Sequence, residues 1–194
     1  IGFQKQGNLG IGYLAATLMR RGHRVKVLDF EDAAEQILAT IEAEAPVVVG
    51  FSLIFQFYLP RFRALMQYLR NHGVRCHFTI GGHFPSLSHE RTLELIPEVD
   101  SVVRFEGEVT LLELVESLIH DQDWRRIDGL AYRRDGRFVS NPLRHLLDDL
   151  DVLPFPYRQY EPTAILGQRT MPILASRGCS RTCSAAFLSH RSTT

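Results

Sequence analysis

"PVVVGFSLI", residues 46 to 54, is the stretch that decides the fold. It is a run of β-branched and apolar residues with no charge in it and no polar–apolar alternation. A half-solvated strand would alternate, so this run belongs inside a parallel sheet covered on both faces. The segments around it agree. Upstream, Ile11, Leu14, Ala15 and Leu18 recur at helical spacing and predict an amphipathic helix ending near Gly22. "HRVKVLDF" (23–30) reads as a strand, and Ala34, Ile37, Leu38 and Ile41 mark a second helix that stops before Pro46. Downstream, Phe62, Leu65, Met66 and Leu69 mark a third helix closed by Asn71 and Gly73. "RCHFTIGG" (75–82) reads as a strand, followed by a short helix near 88–96, "DSVVRF" (100–105) as a strand and "EVTLLELVESLI" (108–119) as a helix. This alternation predicts an α/β fold, an open, doubly wound parallel sheet with right-handed crossovers.

Past residue 125 the pattern changes. "IDGLAYRRDGRFVSN" (127–141) reads as a β-hairpin around Asp135-Gly136. Pro154, Pro156 and Pro162 with scattered acids make 146–170 an extended linker. "MPILA" (171–175) reads as one more strand leading into closely spaced cysteines. The expected organisation is a Rossmann-like domain (1–125), a hairpin extension (126–145), the linker (146–170) and the start of a further domain (171–194).

Composition narrows the function. Of 194 residues 45% are hydrophobic, enough to build a core, and 22 basic residues balance 22 acidic ones. No basic block offers phosphates a patch, so nucleic acid is not an expected partner. No apolar run reaches a membrane span of about 18 residues. Three cysteines give no disulfide framework, which points to a reducing cytoplasm. The first residue is Ile rather than Met and sits inside a strand signal, so residues are expected upstream.

Ligands of open α/β sheets bind where loops leave the carboxyl ends of the strands. Glycines gather there: Gly7, Gly10 and Gly12, then Gly50 before Ser52, then Gly81-Gly82, then "FEGE" (105–108). Glycine admits close backbone approach and positive φ. One reading of "KQGNLGIGYL" (5–14) is a dinucleotide loop, with Asp29 on a ribose hydroxyl, as in an NAD(P)- or nucleotide-sugar-dependent enzyme. The glycine spacing departs from G-x-G-x-x-G.

A second reading comes from resemblance. The first 120 residues resemble the cobalamin-binding Rossmann-like domain shared by methionine synthase, the mutases and many radical SAM enzymes. That family carries D-x-H-x-x-G, S-x-L and G-G. Its spacings are about 41 and about 26 to 28 residues; here 41 residues separate Gly10 from Ser52, and 26 separate Ile54 from Gly81. Ser52-Leu53-Ile54 fits the second signature with Ile for Leu. In the first, Lys5 stands for Asp and Gly7 for the cobalt-ligating His. The resemblance implies cobalamin held base-off with no histidine from this loop. It implies a cofactor site at Gln6, Gly7, Asn8, Leu9 and Gly10, at Ser52, Leu53 and Ile54, at Gly81, Gly82 and His83, and at Glu106 and Gly107.

"GGHFPS", "VVRFEGEVTLLEL", "IDGLAYRRDGR", "NPLRHLLDDLDVLPFP" and "ILASRGCSRTC" extend the resemblance to cobalamin-dependent radical SAM proteins. Cys179-x-x-x-Cys183 resembles the start of the C-x-x-x-C-x-x-C motif that holds a 4Fe–4S cluster and S-adenosylmethionine, and soft thiolates suit iron. The third position is Ala186, which reads as a truncation or frameshift in the cluster loop. The expected function is the cobalamin-binding part of a radical SAM enzyme of methyl transfer or related rearrangement. Its barrel is the expected partner in cis, and this chain is expected to bind without turnover and to carry no catalytic residue of its own. A non-catalytic cobalamin carrier or sensor is a third reading. Cys76 reads as a structural thiol, and Glu106 and Glu108 also suit a helix N-terminus. Asp148, Asp149 and Asp151 read as linker acids, and Trp124, Phe138 and Phe155 as hairpin packing.

Overall fold

A computed structural model describes residues 1–4, 8–159 and 163–177. Helix α1 (Leu9–Arg20) starts on Asn8, whose side-chain oxygen accepts the Ile11 N–H at 3.1 Å. It ends in a Schellman turn, with Gly22 at φ 86° donating to Met19 and His23 to Leu18. Helix α2 is Ala34–Glu44, and α3 (Leu59–Asn71) closes the same way as α1, through Gly73 at φ 88°. The strands between are β1 (Val48–Ser52), β2 (His77–Gly81) and β3 (Ser101–Val103). Two short helices, α4 (His83–Leu87) and α5 (His89–Leu95), separate β2 from β3, and α6 (Glu108–Ile119) follows.

β1, β2 and β3 pair in parallel. The hairpin, β4 (Leu130–Arg134) and β5 (Arg137–Ser140), joins that sheet antiparallel through β4 against β3, so the five strands run in chain order. The sheet is therefore parallel on one side and mixed on the other. Ile37 and Ile41 of α2 and Phe62, Leu65, Met66 and Leu69 of α3 pack with Val49, Phe51, Phe78 and Ile80 in the main core.

The chain start completes the topology. Ile1 donates to the Gly50 carbonyl and accepts from Ser52, while Gly2 bridges to Asp29 in parallel. Residues 28–30, 1–2 and β1 thus lie side by side, and the chain reverses direction across the sheet between 1–2 and β1. That reversal is a topological switch point, where open α/β sheets bind ligands.

Two strand expectations do not hold. Among the described residues the segment 23–30 keeps only the Asp29 bridge, with Gly2 bonding Leu28 and Phe30. Arg24 to Val27 have no backbone partner among the described residues. Residues 171–177 also form no strand, pairing with none of the strands among the described residues. The linker instead contains a small hairpin, β6 (Thr163–Ile165) and β7 (Gln168–Thr170), turned at Leu166 (φ 49°) and Gly167 (φ 76°). Trp124 packs edge-on against Tyr132 and His77, but Phe155 is 94% exposed and packs no hairpin. Cys76 is half-buried against the core beside β2, and burial raises its thiol pKa.

Candidate cofactor cavity

A cavity of about 1520 Å³ opens at the switch point and runs back between α1 and residues 22–28. Four of its walls are the loops singled out by their glycines. Asn8, Leu9 and Gly10 come from the start of α1, Ser52 and Ile54 from the end of β1. Gly81, Gly82 and His83 come from the end of β2, and Glu106 and Gly107 from the start of α6. Gln6 and Gly7 lie outside the described residues, as do Cys179, Cys183 and Ala186. Leu53 is the exception. It is 0% exposed in the core, away from the cavity, and its N–H donates to the Gly81 carbonyl at 2.9 Å.

Each glycine has its own reason. Gly82 sits at φ 111°, and a Cβ there would run into the Leu53 carbonyl, so the β1 and β2 exits cross at backbone contact. At Gly10 an added Cβ would meet only the Asn8 side chain, at 3.4 Å, so this position faces open space. Gly12 does something else. Its N–H continues the helix, its carbonyl accepts the Tyr157 N–H at 2.9 Å, and a Cβ would stand 2.6 Å from the Tyr157 carbonyl. Gly12 is the seat of the linker, not part of a phosphate cradle.

The dinucleotide reading loses its second residue as well. The Asp29 carboxylate accepts the backbone N–H groups of Gln4 (3.3 Å) and Glu31 (2.9 Å), and the residue does not line the cavity. Asn8 is better placed for a ligand. Its oxygen is held by the helix, while its amide nitrogen, buried and without a partner among the described residues, remains a donor at the cavity wall. A buried, unmatched donor is costly, and an acceptor on a ligand would satisfy it. A large, partly apolar cleft with convergent donors and glycine-thinned walls suits a bulky, amide-rich or phosphate-bearing cofactor such as a corrin with its nucleotide tail.

Three wall pieces were not foreseen. Leu146 to Asp151 of the linker and Leu174 to Arg177 close one side, and Tyr13 projects from α1. Glu106 accepts the Leu147 N–H at 3.3 Å, and Arg177 reaches Glu108 at 2.6 Å. The acids of the "FEGE" turn therefore hold chain segments as well as bordering the cavity. Asp149 caps its own turn by accepting the Asp151 N–H. The signal for the linker contact was present in Gly12, a residue that weakens a helix interior by about 1 kcal/mol with no benefit inside the helix itself.

A family model described as the B12 binding domain matches residues 4–115. The chain belongs to that family. The match covers every described residue of the four glycine-bearing loops, and the cofactor of the B12-binding domain is cobalamin, as the Ser52 and Gly81-Gly82 spacing implied. Relatives of this B12-binding chain include an uncharacterized methyltransferase, PH0819, of Pyrococcus horikoshii, 29% identical over 90% of this chain and 39% of the relative. Another is the anaerobic magnesium-protoporphyrin IX monomethyl ester cyclase of Synechocystis, 28% identical over 90% of this chain and 36% of the relative. The chain thus spans well under half the length of these relatives.

Among solved structures, the B12-binding fold recurs in the radical S-adenosylmethionine methyltransferase TsrM of Kitasatospora setae, bound to cobalamin and a 4Fe–4S cluster. The TM-score is 0.62 at 20% identity, over 83% of this chain and 28% of that one. It recurs also in the cobalamin-dependent S-adenosylmethionine radical enzyme OxsB with aqua-cobalamin and S-adenosylmethionine bound. There the TM-score is 0.64 at 22% identity, over 77% of this chain and 21% of that one. No helix among the described residues is long and apolar enough to cross a membrane.

Proposed function

We propose that this chain is the cobalamin-holding portion of a radical SAM enzyme that transfers a methyl group or performs a related rearrangement. The observation that carries the proposal is the cavity at the switch point, walled by Asn8–Gly10, Ser52, Ile54, Gly81–His83 and Glu106–Gly107. Asn8 would donate its free amide hydrogens to a cofactor acceptor, and Gly10 leaves room for the corrin edge. Bound cobalamin would supply a transferable methyl group or an electron-accepting metal; the protein supplies position and a water-poor wall. The loop at 5–10 brings no imidazole, since Gly7 stands at the histidine position of the family pattern. The cofactor is accordingly held base-off without a histidine from this loop.

Cys179 and Cys183 are two thiolates where the resemblance calls for three, with Ala186 at the third position. The chain alone therefore binds cobalamin and does not turn over. The radical SAM barrel is the partner supplied in cis by a longer polypeptide in a reducing cytoplasm. The test is reconstitution of the purified chain with hydroxocobalamin and gel filtration. Retained corrin absorbance with a base-off spectrum is the expected result, and cob(II)alamin on the protein should show no nitrogen superhyperfine splitting in its EPR spectrum. A colourless protein refutes the reading, and a nitrogen-split spectrum refutes the base-off, histidine-free mode.

A further inference from the structure

Arg177 ends the described chain on the cavity wall, and its surroundings are those of an anchored group. Its guanidinium donates to Oε1 of Glu108 at 2.6 Å and stands 3.7 Å from Oε1 of Glu106. It also lies over the Tyr13 ring, 5.1 Å from the centroid. The arginine side chain is 18% exposed and that of Glu108 only 5%. Burial alone would weaken the positive charge; the hydrogen bond to Glu108 and the charges of both acids override it, and the arginine pKa is raised. Glu106 in turn accepts the Leu147 N–H with its other oxygen. One side chain thus joins α1, the start of α6 and, through Glu106, the linker.

The residues before Arg177 have little else to hold them. Ile173 is 78% exposed, Leu174 42% and Met171 39%. The one further tie of this stretch among the described residues is Arg158 donating to the Pro172 carbonyl at 2.9 Å. Cys179 follows Arg177 by two residues in sequence.

We propose that Arg177 is a positioning residue whose ion pair with Glu108, backed by Glu106 and Tyr13, latches the cysteine-bearing segment onto the rim of the cofactor cavity. The latch closes one wall of the cavity with Leu174 to Arg177. The meaning given to the cysteines rests on the cobalamin–radical SAM reading; the latch itself does not. Removing Arg177 leaves the Glu108 charge buried and unpaired, the costly case for such pairs, while removing Glu108 leaves Arg177 with only the longer contact to Glu106 at 3.7 Å.

The test is amide hydrogen exchange over residues 171–177 in the full chain, together with hydroxocobalamin release on dilution. Arg177→Gln and Glu108→Gln should each speed exchange over 171–177, and release of the corrin, by about tenfold. Arg177→Lys, which keeps the charge but not the fork, should restore most of the protection. Arg91→Gln, which breaks the exposed Arg91–Glu94 pair, should change neither measurement. Unchanged exchange over 171–177 in both glutamine variants overturns the latch. Faster exchange with unchanged corrin release overturns its role in closing the cavity. A wild-type chain that retains no cobalamin sinks the cofactor reading instead, and the exchange measurement still decides the latch.

Discussion

The two ends of the parallel strands make opposite uses of similar residues. At the amino ends, a network centred on Arg70 and Asp100 ties most polar groups to one another, although Glu98 Oε2 is buried without a partner among the described residues. Arg70 donates to the carbonyls of Glu98, Val74 and Cys76 and to the Asp100 carboxylate, and stacks on Phe78 at 3.6 Å. Asp100 also accepts the Phe78 N–H, and His77, Ser101 and Thr79 form a closed chain of hydrogen bonds. At the carboxyl ends, glycines replace side chains, an Asn8 amide is left unmatched and a cavity opens. The first end is held largely by its own hydrogen bonds, with only a small pocket at Arg70, Pro97 and Asp100, and the second opens into the large cavity. Stability is concentrated where most partners are met, and binding capacity where they are withheld.

The largest expected effect breaks the carboxyl end at its tightest crossing. Gly82→Val places a side chain against the Leu53 backbone at φ 111°, and should cost about 4 kcal/mol in urea unfolding and abolish corrin retention. At the amino end, Arg70→Met should cost about 2 kcal/mol, mainly through the orphaned carbonyls of Val74, Cys76 and Glu98, since Asp100 is partly exposed and keeps the Phe78 N–H. Corrin affinity should stay within about threefold of wild type, or 0.7 kcal/mol; a larger change would mean that the two ends are not independent.

His77 sharpens the same contrast. Burial lowers its pKa from 6.5 to about 4. The folded state therefore binds fewer protons than the unfolded state between these values, so stability is full above 6.5 and falls as pH drops toward 4. The His77 ring signals should not titrate by NMR above about pH 5, and the loss should reach at most about 3 kcal/mol. Titration near 6.5 would contradict this burial. Asn8→Ala removes the α1 cap and should cost about 1 kcal/mol, with a measurable loss of corrin affinity that Asn8→Asp does not fully restore. The smallest global effect belongs to Gly12→Ala. A gain of about 1 kcal/mol in helix propensity opposes the lost linker seat, so Tm should barely move while amide exchange over 152–158 rises.

Much of this was legible because it is local. The Val48–Ser52 strand announces itself by an uninterrupted β-branched run, and α1 and α3 end on glycines that the left-handed turn requires. The β1 and β2 exits were found by the distance between Ser52 and Gly81. The failures share a cause in long-range context. Residues 23–28 carry strand chemistry, but a strand exists only beside another, and among the described residues only Gly2 pairs with this stretch. "MPILA" is apolar for the same local reasons, and among the described residues no strand pairs with it. The β6–β7 turn hides behind Leu166, a residue that rarely takes positive φ. Leu53 belongs to the same motif as Ser52 but points into the core, as alternation along a strand dictates. Arg177 could not be paired from sequence with Tyr13 and Glu108, which lie far from it along the chain.

The seat on Gly12 has a consequence for how the segment beyond it meets the cavity. The linker is pinned at Leu147 by Glu106, at Val152 by Arg20 (2.6 Å) and at Tyr157 by Gly12. A free chain of about 25 residues would spread its far end over about 28 Å. A strap fastened at successive points instead delivers its end to one small volume, raising the local concentration of what it carries. The search entropy of the linker up to Tyr157 is then met once, during folding, rather than each time the cavity wall at Leu146–Asp151 must form.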